Sequence, residues 1–99
     1  MEGKIRISDF LLFQKEGSKH YTGYANYFGL ERRNCIIRKT ESKFVVLVED
    51  NDRWIQIGIF YPQKPEKVRG AKDYDLIGLI WTPEHTFFLL KDGNRFLGL

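Results

Sequence analysis

Side chains able to carry catalysis near neutral pH are few in this chain, and they stand apart. His20 and His85 each lie alone in turn-like surroundings, and Ser8, Ser18 and Ser42 occupy no strained nucleophile turn. The single cysteine, Cys35, can form neither an intramolecular disulfide nor a cysteine metal cluster, and reads as a small buried hydrophobe. Gly17, Gly23 and Gly29 follow strand patterns and not the strand-to-helix pattern that cradles phosphate. Glu49-Asp50-Asn51-Asp52 brings oxygen ligands close together, but it lacks the glycine and distal glutamate of a calcium loop and consists of the residues that turns select. Glu41-Ser42-Lys43 is the one fragment with a nuclease look, an acid to hold a metal two residues before a lysine. Its only upstream Asp is Asp9, and the triplet falls between two apparent strands. The expectation is a protein with no catalytic residues, no metal and no cofactor.

Binding chemistry is better represented, in the stretch from Lys15 to Lys39. Lys15, Lys19, Arg32, Arg33, Arg38 and Lys39 surround Tyr21, Tyr24, Tyr27 and Phe28, with His20 as a further cation at low pH. Cations track phosphates while flat rings stack on bases of any sequence, so this combination suits single-stranded nucleic acid. In strand geometry Tyr21, Gly23, Ala25 and Tyr27 share one face and Thr22, Tyr24, Asn26 and Phe28 the other. The small Gly23 and Ala25 leave room for a planar group between Tyr21 and Tyr27. Tyrosines on a small sheet can also pack into the core and send only their hydroxyls to water, and the sequence leaves both arrangements open.

The Lys15–Gly23 segment, Lys-Glu-Gly-Ser-Lys-His-Tyr-Thr-Gly, resembles the turn-and-strand opening of small proteins carried by phages and plasmids, some thought to bind single strands. In style the whole chain, short, basic and rich in aromatics, resembles proteins of viruses that infect hyperthermophilic archaea. That resemblance implies a mobile-element origin and supplies no functional residues.

The elements that position these groups follow from composition and punctuation. Ninety-nine residues, 42% hydrophobic and 15% aromatic, fit one domain over 1–99 with a thin, ring-filled β core. Residues 1–48 carry nine Lys and Arg against five Asp and Glu, and residues 49–99 seven against eight, so the basic excess lies in the first half. Such asymmetry favours a polyanionic partner. With no signal-peptide pattern at Met1–Ile5 and no apolar run long enough for a bilayer, the expected location is the cytoplasm, that of the host cell if the protein is viral.

Gly17-Ser18, Asp50-Asn51-Asp52 and Asp92-Gly93-Asn94 each separate two runs of β-branched and aromatic residues, which predicts hairpins 4–28, 43–61 and 86–99. Residues 33–40 and 76–82 read as further strands. Alternation puts Ile55, Ile57, Ile59 and Tyr61 on one inward face, whereas Phe44–Val48 and Leu76–Trp81 do not alternate and read as buried on both faces. The expected core contains Ile5, Ile7, Val46, Leu47, Ile57, Ile59, Leu79 and Trp81. Segment 62–75, with Pro62 and Pro65, reads as a surface loop that could hold a short helix from Pro65. The fold expected is mainly β, with α+β as the alternative: a single small antiparallel barrel or strongly curved sheet of six to seven strands with at most one short helix. The expected function is non-enzymatic binding of single-stranded nucleic acid. The alternatives are a viral or plasmid module that binds a host protein or forms a homodimer through an edge strand, and a metal-dependent nuclease.

Overall fold

The computed structural model describes residues 10–15, 17–27, 30–68, 74–93 and 95–98, the side chains of 27, 30 and 31 excepted. Eight antiparallel strands follow one another around a closed barrel: β1 (Phe10–Gln14), β2 (Tyr21–Tyr27), β3 (Leu30–Lys39), β4 (Phe44–Asp50), β5 (Arg53–Val68), β6 (Tyr74–Trp81), β7 (Thr86–Asp92) and β8 (Arg95–Gly98). Closure comes from β1 pairing with β8, Phe10 opposite Gly98 through Phe13 opposite Arg95. The strand count is eight where six to seven were expected, and no helix occurs among the described residues. Lys4–Asp9 of the expected first strand, with Ile5, Ile7 and Asp9, lie outside the described residues, as do Phe28 and Gly29.

The turns read from sequence close the hairpins. Asn51 and Asp52 both take positive φ (53° and 64°), the mirror-image two-residue turn whose twist matches that of the flanking strands, and short polar side chains tolerate it. Gly93 takes φ 64° at the β7–β8 connection, where a side chain would be strained.

The interior is a layered set of rings and β-branched residues. Phe10, Leu12, Ile37, Val46, Val48, Ile80 and Leu89 are almost wholly buried. Tyr21 packs edge-on against Phe96 at 4.9 Å and Phe60 at 5.8 Å, Phe44 meets Phe60 at 5.7 Å, and Phe10 meets Phe87 at 5.0 Å. Room for the Phe60 ring depends on Gly78, since a methyl group there would come within 2.5 Å of Phe60 Cε1 and of the Tyr61 carbonyl oxygen.

Four expectations are corrected, two of them at irregularities in the ladders. Between β4 and β5 the pairs Leu47–Gln56 and Val46–Gly58 leave Ile57 as an extra residue. This bulge shifts the phase of β5, so that Phe60 turns inward, Ile59 is only half-buried, and Tyr61 is exposed. On β6, Ile80 points inward, while Leu79 is half-buried and Trp81 stays 49% exposed instead of joining the core. Leu47 is likewise half-buried, because a barrel strand has one inner and one outer face and Phe44–Val48 is covered on only one. Finally, 62–68 is neither loop nor helix: β5 runs on through Val68, with Pro62 bordering a register shift between Pro62 and Glu66 and Pro65 inside it, where the ladder is already broken.

Candidate nucleic-acid interface

Alternation along β2 decides the fate of the tyrosines. Tyr21 and Ala25 face the interior and are buried, and burial raises the Tyr21 phenol above its ordinary pKa. Tyr21 therefore offers no open face to a base, and the face it shares with Gly23 and Ala25 is barrel interior. Tyr24, on the other face, is 42% exposed. Tyr27 ends β2, and its side chain lies outside the described residues.

The cations separate into two groups at opposite ends of the barrel, because consecutive strands alternate in direction. Arg32 and Arg33 sit near the β2–β3 end. Arg32 has φ 47° in a bulge opposite Asn26; its N–H donates to Asn26 Oδ1 at 2.7 Å and its guanidinium lies 4.9 Å from the centre of the Tyr24 ring. Arg33 approaches Asp50 at 3.8 Å, and beside it Asn34 Nδ2 donates to Glu49 Oε1 at 2.8 Å. Arg32, Arg33, Asn34, Glu49, Asn51 and Asp52 line an open depression of about 380 Å3 in which the carboxylates of Glu49 and Asp52 offset the two guanidinium groups. A phosphate gains little there, although Arg33 Nε is buried without a hydrogen-bond partner.

The other end is more basic. Lys15 and Lys19 flank the β1–β2 turn, and Arg38, Lys39 and Lys43 flank the β3–β4 turn; all five are exposed. Lys39 Nζ stands 5.6 Å from the centre of the Phe44 ring at the barrel mouth. The tight β3–β4 turn, closed by the Thr40 N–H donating to the Lys43 carbonyl at 2.7 Å, contains Glu41-Ser42-Lys43, so that triplet is an exposed turn. No group of three or more His, Cys, Asp or Glu side chains among the described residues could hold a metal ion. His85 is likewise a turn residue: its N–H donates to Thr82 Oγ1 at 3.0 Å and its ring packs against Phe87 at 4.7 Å.

A second aromatic surface, which sequence reasoning missed, lies beside this basic end. Cross-strand partners in an antiparallel sheet share a face. The register therefore builds one outer row, Arg38–Val45–Ile59–Trp81–Thr86, across β3 to β7, and a neighbouring row, Tyr61–Leu79–Phe88, across β5 to β7. Lys43 and Tyr61 both follow the Phe44–Phe60 pair outward toward the basic end. Tyr61, Trp81 and Phe88 are each about half exposed, at 56%, 49% and 52%. By strand geometry they stand roughly 7–10 Å apart. The absence of polar residues in Leu76–Trp81 was the available signal, and it reads equally as a strand buried on both faces.

Compared with family models, curated proteins and solved structures, the chain matches none.

Proposed function

We propose that this chain is a non-enzymatic accessory protein that binds single-stranded nucleic acid across the outer face of β3–β7. The observation that carries the reading is the row Arg38–Val45–Ile59–Trp81, which runs from an exposed cation to an open indole, alongside the Tyr61–Leu79–Phe88 row. Phosphates follow Arg38, Lys39 and Lys43, with Lys15 and Lys19 extending the path at the same end. Bases lie on Tyr61, Trp81 and Phe88, each stacked base contributing about 1–3 kcal/mol. Three neutralised phosphates give a salt slope of roughly 2 on single strands. Binding of labelled oligonucleotides at about 50 and about 200 mM salt tests this. The reading expects affinity to fall with salt, and salt-independent binding or none overturns it.

A specific observation favours a second reading. Val45, Ile59 and Leu79 leave the centre of the face uncharged between its aromatic rings, and such charge-depleted aromatic centres are typical of protein interfaces. A viral or plasmid factor acting on a host protein would present this face to its partner. Under that reading Trp81→Ala abolishes capture of the partner, and charge removal at Arg38, Lys39 and Lys43 has little effect.

A further inference from the structure

Among the described residues, β5 and β6 do not pair along the whole height of the barrel. β5 begins at Arg53, but its first partner on β6 is the Ile59–Trp81 pair, with Gly58 packed against the Trp81 carbonyl. Residues 53–56 pair with β4 on one side, from Asp50–Arg53 to Leu47–Gln56. On their other side no strand pairs with them among the described residues.

The turn dictates which backbone groups point out. A two-residue mirror-image turn at Asn51-Asp52 closes on a pair that exchanges both its hydrogen bonds, here Asp50 and Arg53. Alternation then aims the N–H and C=O of Arg53 and Ile55 at β4, and those of Trp54 and Gln56 away from it. This open edge carries Trp54 and Ile55, 50% and 41% exposed, beside a depression of about 460 Å3 lined by Asp50, Asn51, Arg53, Trp54 and Ile55.

We infer that this edge pairs antiparallel with the same edge of a second copy of the chain, about a two-fold axis through Ile55. An open strand edge takes another strand, and this segment is its own complement. In the register centred on Ile55, Trp54 of one copy faces Gln56 of the other, so all the outward groups at 54 and 56 are used, in about four hydrogen bonds. Ile55 then faces Ile55 as a non-hydrogen-bonded pair, where side chains approach most closely, and Arg53 faces Ile57. Centring on Trp54 or Gln56 uses half of those groups. A shift by one residue sets Trp54 against Ile55, whose groups point to β4. Charge agrees with the choice: the two Arg53 side chains stand roughly 13 Å apart along the paired strands, and Asp50 and Asp52 lie beyond the paired segment. The paired segment, residues 53–57, shares no residue with the Arg38–Trp81 and Tyr61–Phe88 rows, and each surface is tested by its own measurement.

Two measurements test the inference. Sedimentation of the unaltered chain from micromolar to millimolar concentration is expected to show a monomer–dimer equilibrium, and a monomer throughout overturns the inference, even if a different strand is found to occupy the edge. In a Cys35→Ala background, Ile55→Cys is expected to give a disulfide-linked dimer on mild oxidation, because the two-fold brings its Cβ atoms together, whereas Trp54→Cys is not. Equal cross-linking by the two variants overturns the register. Gln56→Pro removes an outward N–H without costing a bond to β4, and is expected to weaken the dimer at least tenfold; a dimer unaffected by it overturns the edge assignment.

Discussion

β2 and the β5–β6 pair both carry aromatic residues in alternation, yet the barrel puts them to opposite uses. On β2 the register runs undisturbed from Tyr21 to Ala25, so Tyr21 is a core ring wedged between Phe60 and Phe96, and Tyr24 is left outside beside Arg32. On β5 one extra residue, Ile57, shifts the phase, so Phe60 enters the core and Tyr61 stays out with Trp81 and Phe88. A ring's chemistry here is set by its parity relative to the nearest bulge, not by how many rings surround it in sequence.

The sharpest way to break this comparison is to truncate neighbours. Phe60→Ala is expected to cost roughly 3–5 kcal/mol in urea unfolding, whereas Tyr61→Ala changes stability by no more than about 0.5 kcal/mol. Equal losses would mean that the phase shift at Ile57 has been misread. Tyr21→Ala should resemble Phe60→Ala, and Tyr24→Ala should resemble Tyr61→Ala.

How much of this was legible in the sequence follows the same division. The hairpin turns at Asp50–Asp52 and Asp92–Asn94 were readable because their chemistry is local, and they placed β4, β7, β8 and the start of β5 to within about a residue, while the end of β5 at Val68 lay seven residues beyond the expected one. The barrel itself was within reach once alternation was recognised. The bulge at Ile57 was not, because an extra residue is defined only against the partner strand that opposes it. The same applies to 62–68, where two prolines argue locally for a loop, while the β5–β6 ladder accommodates them at a register shift. Of the candidate site residues, Arg38 and Lys39 lie beside the aromatic face and Lys15 and Lys19 at the same end, but Arg32 and Arg33 are engaged at the opposite end with Tyr24 and Asp50. Arg32-Arg33 and Arg38-Lys39 stand at the two ends of one strand, β3, and composition does not reveal that separation.

The interior also makes a pH prediction. Burial pushes the Cys35 thiol from an ordinary 9.0 up to about 12. Below about pH 9 both folded and unfolded thiols are protonated and pH has no effect through this group. Between about 9 and about 12 the unfolded chain releases the proton and the folded chain keeps it, so stability falls as pH rises, by up to about 1.4 kcal/mol per pH unit. Unfolding midpoints compared with a Cys35→Ala variant isolate that slope; parallel curves would contradict the assignment. For the same reason a thiol reagent at neutral pH should leave folded Cys35 untouched and modify it on denaturation.

On the outer face the expected effects fall on binding. Replacing Arg38, Lys39 and Lys43 together by Ala should lower affinity for every oligonucleotide sequence and reduce the salt slope by roughly 2, with stability nearly unchanged. Smaller in its effect on the fold, but most decisive for the reading, is Trp81→Ala. Titrating labelled single strands into the unaltered chain and into this variant, at low and moderate salt, is the most direct test of whether the β3–β7 face receives nucleic acid. The account predicts salt-dependent binding by the unaltered chain and a loss of about 1–3 kcal/mol on removing the indole, with the salt slope retained. Equal affinity of the two proteins, or no affinity in either, would contradict it.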